Sequence, residues 1–176
     1  MTRSQRQFAA SLAIVSSLLA VPAAWAADKL AAADASMLKD IAQANIAEVE
    51  TGKMALDKSS NAEVKKFAQM MVDDHSKGLA DVKTLASAKG TELPDSPDAK
   101  HKAVALEFKA LSGGMFDSRY VKQAGVGYHE ATEKLLKKTQ AEAKDADLKA
   151  LAGKMLPVVQ THLQHARTLE ASLAKK

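Results

Sequence analysis

The chain contains no cysteine. That excludes disulfides, thiolate chemistry, c-type haem attachment and a bacterial lipoprotein anchor. Aromatic residues are scarce, at 4%, and there are only four prolines. Alanine, leucine and lysine dominate instead, a composition that favours helices over sheet. Charge of one sign is also lacking. The formal net charge is +4, but Arg3 and Arg6 stand in a leader-like segment, and without them 23 basic residues face 21 acidic ones, a net of +2. With no basic stripe and no interleaved aromatics, nucleic acid is not an expected partner. Beyond the first 26 residues no segment is apolar enough to span a bilayer, and no run of alternating ten-residue strands suggests a membrane barrel. Neither a phosphate-cradling glycine loop nor a serine set beside a histidine in a nucleophile turn is present. Catalysis by these routes therefore finds no support.

What is present begins with an export signal. Arg3 and Arg6 form a positive n-region, Phe8 to Val21 an apolar h-region, and Ala24-Trp25-Ala26 an A-x-A cleavage site. The apolar run is shorter than the ~20 residues a membrane anchor needs. Residues 1–26 are expected to be a signal peptide. Residues 27–176 are then a single domain in the periplasm, with association to the outer membrane left open.

The stretch from Val64 to Gly90 organises the rest. Phe67, Met71, His75, Leu79 and Val82 recur at helical spacing, so a histidine is set into an apolar stripe. Ser60 and Glu63 read as a capping box, and Gly90 as a C-terminal cap. A helix before it, from about Ala35 to Lys58 with Asp34 as N-cap, carries Met37, Ile41, Ala44, Glu48, Gly52 and Ala55 on one face. After a polar, proline-bearing loop at Thr91 to Asp98, Asp98 can cap a short helix to Leu111, ended by Gly113-Gly114. A third long helix from about Asp117 to Ala143 has the stripe Val121, Gly125, His129, Thr132 and Leu136. The fourth, ending near Leu173, has Leu148, Leu151, Met155, Val158, His162, Ala166 and Leu169, with Pro157 inside it.

Four long helices joined by short, long and short links predict an all-α, ferritin-like four-helix bundle. Its long crossover carries a short extra helix, and the second and third long helices run parallel. The segments AEVETGKMAL (47–56), VKKFAQMMVDDHSKG (64–78), GGMFDSRYVKQAGVGYHE (113–130) and LPVVQTHLQHARTL (156–169) occur in this order over nearly all of residues 27–176. In these words the chain resembles the bacterial family called domain of unknown function 4142, secreted proteins often labelled outer-membrane proteins. The resemblance implies a ferritin-like fold and export, and lends no activity.

Glu48, His75, His129 and His162 are the polar residues inside the stripes, one per long helix and each near mid-length. Carboxylate and neutral imidazole are ligand types of zinc, iron and manganese sites. Two other readings stand beside the metal one. The four could form a buried hydrogen-bond network, His to Glu and His to Tyr120 or Tyr128, or some histidines could lie at the stripe edge in water. The Glu-x-x-His motif of di-iron carboxylate bundles is absent, because Val72, Val126 and Val159 stand three residues before the histidines. Met54, Met71 and Met155 read as core filler rather than haem ligands. Asp74 could orient a histidine from outside or be a solvated surface acid. Asp117 reads as an N-cap with Tyr120 packed over the first turn.

The expected function is an exported binding or interaction module for a protein or small-molecule ligand, linked to envelope stress by analogy of compartment and fold. The alternative is a metal-binding protein, or a metal-dependent redox enzyme, using a divalent metal at Glu48, His75, His129 and His162.

Overall fold

A computed structural model describes residues 29–175, so the expected signal peptide and cleavage site lie outside the described residues. The elements are α1 (Ala32–Lys58), α2 (Ala62–Ala88), α3 (Ala99–Ala110), α4 (Gly113–Tyr120), a π-helical segment (Val121–Tyr128), α5 (His129–Glu142) and α6 (Ala146–Leu173). α4, the π segment and α5 follow without a break and form the third long helix. Four long helices and one short helix in the crossover match the architecture expected from the stripes and loop lengths.

Two apolar clusters fix the direction of each helix. One packs Leu38 and Ile41, early in α1, against Val82 and Ala86, late in α2. Leu136 and Ala143 near the end of the third helix and Leu148 and Leu151 at the start of α6 join them. The other gathers Ala55, late in α1, with Val64 and Phe67, early in α2, Phe116 and Tyr120, early in the third helix, and Ala166, late in α6. α2 and the third helix therefore run parallel. The crossover between them must travel the length of the bundle, and α3 lies along this return. Phe108 of α3 is fully buried in the second cluster, and Lys58 Nζ donates to Lys109 O at 2.9 Å. Burying one such aromatic or branched side chain contributes about 1.5–3 kcal/mol, enough to pin a short helix that would not be stable alone.

Helix ends follow the local chemistry, with several departures from expectation. Gly90, at φ +59°, ends α2 as expected. The Thr91 N–H reaches Ala86 O at 2.8 Å and the Gly90 N–H reaches Ser87 O at 3.3 Å, a Schellman pair. The start of α2 is capped by Asn61, not by Ser60 with Glu63. The Asn61 side chain accepts from the N–H groups of Glu63 and Val64 at 3.0 and 3.4 Å. Asp98 caps α3 through the His101 N–H at 2.9 Å.

Asp34 does not cap its own helix, because α1 begins at Ala32, before it. Its carboxylate is buried and accepts from the N–H groups of Lys144 and Asp145 at 2.9 and 2.7 Å, tying the last turn to the start of α1. Asp117 is likewise inside a helix, not at its start, since Gly113 at φ +55° turns the chain early enough for α4 to begin there. Tyr120 is fully buried among Phe67, Phe108 and Phe116 rather than lying over a first turn. In α6 the core position falls to Val159, and Val158 is exposed. The helix continues through Pro157.

Candidate functional site

Between the two apolar clusters lies a polar layer. α1 places Asn45 and Glu48 in it, α2 His75, the third helix His129 and α6 His162, and all five are buried. His129 opens α5 immediately after the π segment, whose glycines at 125 and 127 weaken the regular α ladder. Gly125 also lets the third helix come close: a Cβ there would lie 3.1 Å from Ala166 Cβ.

The three imidazoles converge. His75 Nε2 lies 3.3 Å from His129 Nε2, and His129 Nε2 lies 3.4 Å from His162 Nδ1. One nitrogen from each ring falls within 4.8 Å of the other two. Glu48 stands behind His129, with Oε1 3.1 Å from Nδ1, on the side away from the convergence. Of the four residues expected to share a level, three meet and the fourth backs one of them. Residues at the stripe edge in water are ruled out, since the histidines are 1–5% exposed. Of the network reading, Glu48 Oε1 lies 3.1 Å from His129 Nδ1, but the hydrogen bond of that nitrogen goes to Ala124 O. That reading is not met for the tyrosines, because the hydroxyls of Tyr120 and Tyr128 have no partner among the described residues.

The outward nitrogen of each ring faces an acceptor, and this decides the tautomers. Asn45 Nδ2 donates to Ile41 O at 2.7 Å, which turns its Oδ1 toward His75. His75 Nδ1–H then donates to Oδ1 at 3.0 Å. His129 Nδ1–H faces Ala124 O and Glu48 Oε1, each at 3.1 Å. His162 Nε2–H donates to Asp74 Oδ2 at 2.9 Å. Three inward nitrogens, His75 Nε2, His129 Nε2 and His162 Nδ1, are left as bare lone pairs aimed at one another. Lone pairs that close repel unless a cation lies between them.

Burial disfavours a proton in that role. It lowers His75 well below the ordinary histidine value, with His129 and His162 adding to the effect. It brings His129 down to about 4, with His162 contributing. His162 is lowered by burial against the opposing pull of Asp74. Neutral imidazoles with the far nitrogen held by an amide, carbonyl or carboxylate are the form in which histidine binds a metal. Burial raises the Glu48 carboxyl well above its usual range, and its Oε2 has no hydrogen-bond partner.

Asp74 fills the orienting role that its sequence position allowed. Asn45 was not singled out from the sequence. Its signal was a mid-helix amide three residues before Glu48, hence on the same face.

Fold and site together define an all-α four-helix bundle with a buried histidine layer. Within that class the chain belongs to the family described as Domain of unknown function (DUF4142), whose profile matches residues 19–169. No curated protein and no solved structure matches the chain.

Proposed function

We propose that this protein is an exported, periplasmic metal-binding bundle, holding one divalent transition-metal ion on His75 Nε2, His129 Nε2 and His162 Nδ1. Of the two sequence-based readings, the geometry favours this one. The observation that carries it is the set of three converging lone pairs, each fixed by a hydrogen bond on the opposite side of its ring. A tetrahedral centre with bonds of about 2.05 Å sets its ligands roughly 3.3 Å apart. Two of the three nitrogen separations, at 3.3 and 3.4 Å, match that edge, and the third, between His75 and His162, lies within 4.8 Å. All-imidazole donors suit zinc, copper, iron or nickel rather than magnesium or calcium. Glu48 backs His129 in the manner of the carboxylates that orient metal-bound histidines. Three protein ligands leave a fourth position open, so the chemistry fits capture and holding of an ion by a binding module. The leader supplies the argument for the periplasm, and no described helix is long and apolar enough to cross a membrane.

The test is elemental analysis of protein purified from its native source, followed by melting with and without chelator. One metal per chain is expected. An ion at 100-fold over its Kd adds about 2.7 kcal/mol, or roughly 5–10 °C for a domain of this size, which chelator should remove. His75→Ala should melt identically with and without chelator. Substoichiometric metal, with wild type also indifferent to chelator, would overturn the proposal.

A further inference from the structure

The metal reading leaves open how an ion reaches a layer this deeply buried, and the structure closes most routes. On α1, Asn45 and Glu48 are 1–2% exposed. On the third helix the partner of His129 is the carbonyl of Ala124, also buried. Toward the first apolar cluster, Gly78 brings α2 against α1 and α6. A Cβ there would lie 2.7 Å from Asn45 Oδ1 and 3.2 Å from Met155 Cε. Gly125 packs on Ala166 and the Phe67 ring, where a Cβ would lie 3.1 and 3.4 Å away.

One wall differs. Asp74 belongs to α2 and His162 to α6, so their 2.9 Å hydrogen bond bridges the seam between those helices. The Asp74 side chain is 45% exposed, and among the four outward partners it alone meets solvent. Further along the same seam lies a groove whose lining includes Glu63, Lys66, Phe67, Met70, His165 and Leu169. Met70 lies one turn before Asp74, and His165 one turn after His162. The groove thus lies about one helical turn from Asp74 and His162, neither of which lines it.

We propose that the ion loads through this α2–α6 seam, with the Asp74 carboxylate as its landing point and His162 as the first histidine it meets. This rests on the metal reading. A carboxylate at the mouth of a low-dielectric passage attracts a divalent cation and partly replaces its lost hydration, an effect that salt screens.

The test is stopped-flow capture of cobalt(II) by the metal-free full chain, and its release to excess chelator. Asp74→Asn removes the charge and keeps an oxygen acceptor for His162 Nε2–H. It should slow capture about threefold to tenfold at low ionic strength. Release should stay within about twofold, and the capture difference should close near 1 M salt, where screening acts over about 3 Å. Asn45→Ala, which frees His75 from a fully buried partner, should instead speed release, with no dependence of its effect on ionic strength. An unchanged capture rate in Asp74→Asn, or a change confined to release, would overturn the loading route and leave Asp74 as an orienting residue only. Wild type that captures no cobalt would overturn the metal reading itself, and the route with it.

Discussion

Glu48→Gln offers a quantitative probe of the polar layer in the metal-free protein. The Glu48 carboxyl is 2% exposed, and one of its oxygens has no partner. Burial raises its pKa well above the unfolded value near 4.5. An acid that holds its proton longer when folded stabilises the fold fully below its unfolded pKa. That contribution is lost as pH rises through the window up to the folded pKa. Within that window the loss is about 1.4 kcal/mol per pH unit. Glutamine has no such proton to lose. The stability of Glu48→Gln relative to wild type should therefore rise as pH increases above about 4.5, by up to about 1.4 kcal/mol per pH unit for as long as the folded carboxyl keeps its proton. Urea denaturation of both proteins after chelator treatment, at matched ionic strength, reads this difference directly. A difference that stays flat across that range would mean that Glu48 is already ionised beside His129. The picture of a neutral layer awaiting a cation would then be wrong.

In the Glu48→Gln background the histidines can be read alone. His129 is held at about 4 when folded against 6.5 unfolded, so it alone should cost the metal-free variant about 3 kcal/mol as pH falls through that interval. His75 and His162, also lowered, should add to the loss read by the same urea midpoints. Asp34→Ala removes an acceptor shared by two backbone N–H groups, and should lower stability by about 2–4 kcal/mol with an unchanged m-value. Gly78→Ala puts a Cβ 2.7 Å from Asn45 Oδ1. It should destabilise by about 1–3 kcal/mol and, by displacing the partner of His75, weaken metal retention in equilibrium dialysis.

The architecture was legible because its signals are periodic and redundant. His75 could be placed on a core stripe because Phe67, Met71 and Val82 share its spacing, and all are buried. The parallel pair could be inferred from one long loop between two short ones. Single-residue chemistry was harder to read. Asp34 and Asp117 have the residue type of N-caps, but each helix begins earlier, so both carboxyls are carried inside. What each then meets depends on a distant segment. Asp34 meets residues 144 and 145, a partnership no local pattern reveals. At the site, stripe membership brought out Glu48 and the three histidines. It could not say that Glu48 would face the far side of His129, because that depends on the depth and rotation of α1 against the third helix. Asn45 and Asp74 define the histidine tautomers, yet a polar residue beside a ligand looks the same in sequence as any polar residue on a helix.

The account turns on whether a metal occupies the convergence of His75 Nε2, His129 Nε2 and His162 Nδ1. The most direct measurement is an anomalous-difference map from crystals grown with one equivalent of zinc or cobalt. The predicted result is one strong peak in the polar layer, about 2.0–2.1 Å from all three nitrogens, with Asn45, Ala124 O and Asp74 still bonded to the opposite ring edges. A polar layer without a peak, or a peak only at surface carboxylates, would contradict it.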